Sequence, residues 1–207
     1  TWAETEKGAG VCVGLPVPDI EVKVIRISDD AIPTFSDDLE LEDGEIGEIA
    51  VRGPMVTEAY FADERNTALS KIRDGDFIWH RMGDVGWRDR EGRLWFCGRK
   101  SHRLVLDGTT MFTVPCEKIF DAHPAVYRSA LVGPRGQPTL CVELEPGQRA
   151  GDWPKVERQL RQIAESHPQL QRISRFVRHP GFPVDIRHNA KIGREKLANW
   201  VEAKGSS

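Results

Sequence analysis

Short runs in which apolar and polar residues alternate dominate the first half of the chain. The segment "IEVKVIRI" (Ile20 to Ile27) is rich in β-branched residues and predicts a strand. A polar, acidic stretch follows from Ser28 to Gly44 with Pro33 inside it, the signature of a loop. In "GEIGEIAVRGP", Ile49 and Val51 alternate with polar neighbours until Gly53-Pro54, which predicts a half-buried strand with a defined stop. Two more strands are expected around Ile78 and from Leu94 to Cys97, joined by the turn "DREG" (Asp89 to Gly92). Several short strands with regular turns predict a small barrel or sandwich portion.

After Gly98 the period changes. Pro115 stands where a first helical turn tolerates it, followed by Glu117, Ile119 and Phe120. "VYRSALVG" and "PTLCVELEP" predict two strands linked by "PRGQ". Trp153, Val156, Leu160 and Ile163 recur at helical spacing between Asp152 and His167, and Leu197, Trp200 and Val201 do so in a last helix. The second half therefore reads as a compact α+β unit. The charge-dense run Arg99 to Arg103 marks the switch, which divides the chain into 1–98 and 99–207. The sequence contains neither an internal repeat nor a low-complexity segment.

Composition narrows the functional classes. The 207 residues are 39 % hydrophobic with a net charge of −3, enough chain for one sizeable domain or two small ones. No basic block marks a nucleic-acid partner, and no apolar run approaches the roughly 18 residues of a membrane span. The four cysteines are far apart and form no CxxC pair; each reads as a small buried hydrophobe in a reducing, cytoplasmic compartment. The chain begins at Thr1 and reads as a piece of a longer protein, so the lack of a targeting signal carries no weight.

Three residues stand out for chemistry. Asp84 lies in "HRMGDVG", where Gly83 and Gly86 permit a sharp turn and close ligand approach. Its carboxylate, an acceptor only, suits vicinal hydroxyls or simply an Asx-turn. Arg99 ends an apolar strand, where a guanidinium can fork onto a hydroxyl or phosphate or serve as a surface or hinge charge. Lys191, in "FPVDIRHNAKIGREKL", sits between a polar turn (Arg187, His188, Asn189) and a short helix, and by itself reads as a solvated surface lysine. Gly108 in "LDGTT" is a plain turn, His80, His102 and His188 are too scattered for a metal site, and the aromatic residues read as core.

In order and spacing, "GEIGEIAVRGPMVTEAYF", "HRMGDVGWRDREGRLWFCGRKSHRLVLDGTTMFTVPCEKI" and the C-terminal lysine loop resemble the adenylate-forming superfamily of acyl-CoA synthetases, peptide-synthetase adenylation domains and luciferases over nearly the whole chain. The resemblance implies an α+β fold: the distorted β-barrel end of a large adenylation domain (1–98), then a small mobile C-terminal lid (99–207). It implies that Asp84 binds the ribose hydroxyls of ATP or an acyl-adenylate, that Arg99 supports the same ribose, and that Lys191 bridges the substrate carboxylate and the α-phosphate. ATP is the implied co-substrate. Its Mg2+ ligands, the phosphate-binding loop and the acyl pocket are expected upstream of Thr1, which would leave this piece inactive alone.

"CGRKSHRLVL", "FTVPCEKIF", "HPAVYRSALVG" and "FPVDIRHNAKIGREKLANW" most resemble one branch, the β-lactone synthetases of bacterial olefin biosynthesis. That implies adenylation of a long-chain 2-alkyl-3-hydroxy fatty acid and closure by its own hydroxyl, with other enzymes of the olefin pathway as partners. Two departures from the superfamily pattern count against a coenzyme A step: Ser101 stands where an aspartate hinge is common, and the lysine loop is longer with no glycine before Lys191. A long-chain acyl-CoA or acyl-AMP ligase and a non-catalytic docking fragment are the alternatives.

Overall fold

The structure, a computed structural model, describes residues 1–185 and 188–205. The chain divides into two compact units: Gly10–Ser101 with Thr1, and His102–Ser207 with Trp2–Ala9. Arg99 therefore lies in the first unit, and the contact boundary follows Ser101.

The first unit is a curled antiparallel sheet in the order β1 (Val11–Gly14), β6 (Leu94–Arg99), β5 (Phe77–Arg88), β3 (Gly47–Arg52), β2 (Glu21–Ile25), with β4 (Lys71–Asp74) also on β5. A short helix, α2 (Glu64–Ser70), precedes β4 and is capped by Asp63, whose carboxylate accepts from the Asn66 N–H. β5 is the hub. Its first residues pair with β4 (Trp79 with Ile72) and its last with β6 (Trp87 with Trp95). Gly83, at φ 67°, takes the left-handed turn between those two stretches. Gly86 serves a different purpose from the turn expected of it: a Cβ there would come 2.4 Å from the Trp95 carbonyl oxygen. Trp79 and Ile72, both fully buried, form the core with Ile25 and Ala50.

β3 departs from the half-buried expectation. Gly47, Glu48, Ile49 and Ala50 are all buried in succession, because β3 lies between two strands and Glu48 has cationic partners, one of them buried. The Arg81 Nη2 donates to Glu48 Oε2 at 2.7 Å, with both side chains only 1 % exposed. Lys100 Nζ approaches Glu48 Oε1 at 3.0 Å and donates to the Ser28 carbonyl at 2.8 Å.

The second unit opens with helical residues 2–9, α1 (Trp2–Glu4) and the turn after it, packed on α3 (Thr113–Asp121). A tight hairpin, β7 (Leu104–Leu106) and β8 (Thr109–Met111), turns through Asp107 and Gly108, both at positive φ. The three-stranded sheet runs β11 (Arg175–Arg178), β10 (Thr139–Leu144), β9 (Val126–Val132), with β10 parallel to β11 and antiparallel to β9. Period-two alternation assigns its faces. Leu131, Leu140, Val142 and Phe176 join Phe120 of α3 and Val156 and Leu160 of α4 (Trp153–Ser166) in one cluster. Ala130, Val132 and Cys141 join Leu197 and Val201 of α5 (Arg194–Gly205) in another. Between β11 and α5 runs a ribbon of β12 (Val184–Asp185) and β13 (His188–Ile192).

Candidate functional site

Asp84 and Arg99 are register partners across the β5–β6 ladder. Cross-strand neighbours share one face, so residues separated by the "DREG" hairpin meet as the strand ends require. That turn is fixed by Asp89, whose carboxylate accepts from the Glu91 and Arg93 amides, the Arg93 guanidinium and the Trp95 indole N–H. Arg99 Nη1 lies 3.2 Å from Asp84 Oδ1, and it donates to the Met82 carbonyl at 3.1 Å. The approach to Asp84 is an ion-pair distance without hydrogen-bond alignment: Oδ1 is buried and has no hydrogen-bond partner among the described residues.

A buried carboxylate oxygen without a donor is costly. Burial accordingly pushes the Asp84 carboxyl above the usual carboxylate range, and the Arg99 charge opposes that shift. The Asp84 side chain is 21 % exposed and that of Arg99 52 %. The pair thus offers an acceptor short of donors beside an accessible guanidinium. Such an acceptor can take a hydroxyl donor, and a guanidinium beside it can donate to an oxygen.

Lys191 lies in the other unit. It is exposed on β13 and lines a pocket of about 210 Å³ with Pro183, Val184, Asp185, Ile192 and Lys196. Of the polar turn expected before it, Arg187 lies outside the described residues. For His188 and Asn189 only the backbone is described. Gly108 sits at the tip of the β7–β8 hairpin, the turn expected of it. Among the described residues no group of three or more His, Cys, Asp or Glu could hold a metal ion. None of the four cysteines is in a disulfide among the described residues, and burial pushes Cys97 and Cys141 up to about 12, far from a nucleophilic thiolate.

Residues that the sequence reading passed over include Glu48, Arg81 and Lys100, which brace β3, β5 and the end of β6 beside the Asp84–Arg99 pair. One signal was available. Arg81 sits inside an apolar strand, where a guanidinium needs a buried partner.

The chain is 51 % identical over 210 residues to the olefin β-lactone synthetase of Xanthomonas campestris pv. campestris, which spans 97 % of this chain. It is 46 % identical over 213 residues to the olefin β-lactone synthetase of Stenotrophomonas maltophilia, spanning 99 % of this chain. The chain belongs to the adenylate-forming superfamily. It corresponds to the C-terminal portion of these adenylate-forming enzymes and spans 38 % of the length of both curated relatives. Among solved structures, the amide bond synthetase McbA from Marinactinospora thermotolerans superimposes with a TM-score of 0.72 at 27 % identity, over 92 % of this chain and 36 % of that one. The α+β fold with the curled sheet is thus the adenylate-forming fold. No protein-family model matches the chain.

Proposed function

We propose that the protein carrying this chain is an ATP-dependent adenylate-forming enzyme that makes β-lactones. Its substrate is a long-chain 2-alkyl-3-hydroxy fatty acid. The substrate carboxylate oxygen attacks the α-phosphorus of ATP, and pyrophosphate leaves. The 3-hydroxyl oxygen then attacks the acyl carbon, the bond from that carbon to the AMP oxygen breaks, and the hydroxyl proton passes to solvent. The products are the β-lactone, AMP and pyrophosphate. Holding both reacting groups in one molecule gives the hydroxyl a high effective concentration, which offsets the strain of a four-membered ring.

The observation that carries this reading is the 51 % identity to an olefin β-lactone synthetase across 97 % of the chain. Within that reading, Asp84 receives the ribose hydroxyls and Arg99 braces the same sugar; the donor-poor Oδ1 of Asp84 supports the assignment. Lys191 neutralises the charge that gathers when a carboxylate meets the α-phosphate, a task for a compact ammonium on a flexible stem. The small second unit acts as the lid that carries it. Mg2+, held by residues expected upstream of Thr1, would supply charge neutralisation to the phosphates of ATP when bound. Cysteines without disulfides fit a cytoplasmic setting, and enzymes that supply the hydroxy acid or consume the lactone are the expected partners. No helix among the described residues is long and apolar enough to cross a membrane.

The test is incubation of the full-length protein with ATP, Mg2+ and a 2-alkyl-3-hydroxy acid, with and without coenzyme A. β-Lactone forms without the thiol if the reading is right. Thioester formation that strictly requires coenzyme A overturns it in favour of an acyl-CoA ligase.

A further inference from the structure

The second unit buries one bidentate ion pair. Glu117 of α3 accepts from Arg194 through both guanidinium ends: Nη1 on Oε1 at 2.5 Å and Nη2 on Oε2 at 2.8 Å. Their side chains are 7 % and 14 % exposed. Glu117 Oε1 also accepts the Leu131 N–H at 2.7 Å, and Arg194 Nη1 donates to the Leu131 carbonyl at 3.2 Å. These bonds close a ring through α3, β9 and the first residue of α5.

Stability alone is a weak reason for such a pair. The desolvation of two charges roughly cancels their attraction, and well-packed apolar residues of the same volume often do as well. What the pair adds is direction, because a fork on a carboxylate fixes orientation as well as distance. Its place in the chain is informative. Arg194 follows Lys191 by three residues. Between them, Gly193 donates its N–H to the Pro183 carbonyl at 2.7 Å, and a Cβ on Gly193 would lie 3.2 Å from that oxygen. Next to Pro183, Phe182 is buried and donates its N–H to Glu143. The β12–β13 ribbon is therefore clamped at the end where Val184 pairs with Ile192, the neighbour of Lys191.

A lysine side chain has four freely turning bonds, so the fold can aim its ammonium only by fixing the backbone beneath it. We infer that Glu117 and Arg194 are positioning residues for Lys191, holding the root of β13 so that its ammonium reaches the reacting carboxylate and phosphate. This rests on the role given to Lys191 above. Burial pushes the Glu117 carboxyl up, while the Arg194 charge beside it pulls it back, so the two residues act as one unit.

Three variants of the full-length protein test this: the apolar pair Glu117→Leu with Arg194→Met, the single Arg194→Lys, and Lys191→Ala. The readouts are ATP–pyrophosphate exchange with the hydroxy acid, the KM for ATP, thermal unfolding, and amide hydrogen exchange at Lys191 and Ile192. The apolar pair should lose about 10²-fold in the exchange rate, the scale of an ångström-sized misplacement. Its KM for ATP should change less than about threefold, while its unfolding temperature should fall, because the buried Leu131 N–H and carbonyl lose these partners. Amide exchange at Lys191 and Ile192 should speed up about tenfold or more, the scale of a lost charged hydrogen bond, while β10 stays protected. Arg194→Lys, which keeps the charge without the fork, should be intermediate and guards against a pair variant that fails to fold. A wild-type exchange rate in the folded apolar pair overturns the inference, as does unchanged protection at Lys191 and Ile192. Full activity in Lys191→Ala sinks the assigned role of Lys191 and with it the catalytic half of the inference; the hydrogen-exchange arm decides the structural half independently.

Discussion

Arg99 stands directly opposite Asp84 on the neighbouring strand, yet its guanidinium leaves Oδ1 of that carboxylate without a hydrogen bond. A partner that satisfied the oxygen fully would stabilise the sheet and block a ligand. This geometry leaves a buried acceptor unused by the fold.

Asp84→Asn should therefore separate function from stability. It removes charge-assisted hydrogen bonds worth about 1.5–3 kcal/mol each, so ATP affinity of the full-length protein should fall roughly 10- to 100-fold by calorimetric titration. The folded-state carboxyl is raised above its ordinary value of 3.8, which means that folding disfavours the charged form at neutral pH. The neutral amide should raise the thermal midpoint at pH 7. An equal or lower midpoint would contradict the desolvation argument.

With Asp84 in the proposed ribose-binding role, the same shift sets a pH dependence for nucleotide binding. As pH falls through the raised value, Asp84 takes up a proton and loses its character as a pure acceptor. ATP affinity should decline at a pH above the ordinary 3.8, and Asp84→Asn should flatten that limb of the profile.

Lys191→Ala should lower adenylation by at least about 10²-fold while ATP still binds. The half-reaction, followed as ATP–pyrophosphate exchange, separates this from a loss of nucleotide. Unchanged exchange would remove Lys191 from the chemistry.

Asp89 supplies an acid-sensitive element of a different kind. Burial alone would raise its carboxyl, but bonds from Trp95 and Arg93 bring it down to about 2 from 3.8. A depressed value stabilises the fold fully above 3.8, and that contribution is lost as pH falls from 3.8 towards 2. Chemical denaturation over this range should show the decline, and Asp89→Asn should be less stable at pH 7 with a shallower dependence below pH 4.

Leu160→Ala tests the packing of α4 on the sheet of the second unit. Leu160 is fully buried among Leu131, Val142 and Phe176, and deletion of its side chain should cost about 2–5 kcal/mol in urea unfolding. A cost under about 1 kcal/mol would mean that the cluster collapses around the void.

Much of this was legible in the sequence, and the reason is range. The "DREG" turn joins two adjacent strands, so the register that brings Arg99 to Asp84 follows from local alternation. The stripe Trp153, Val156, Leu160 and Ile163 is likewise local, and α4 forms where it predicts. Glu48 and Arg81 meet across 33 positions, and Glu117 and Arg194 across 77; no periodicity reports such pairings. Glu48 therefore passed as the polar half of an alternating strand. β4 and β12 were missed for a related reason: four residues and two residues are too short to show a period.

Asp84 lies where β5 exchanges one neighbour for another, just past the left-handed turn at Gly83. A molecule gripping that single carboxylate would lean on the β4 hairpin and the β6 hairpin together, tying Ile72 and Trp95 into one response. Occupancy of a small polar spot would then stiffen most of the sheet, as a keystone loads both sides of an arch.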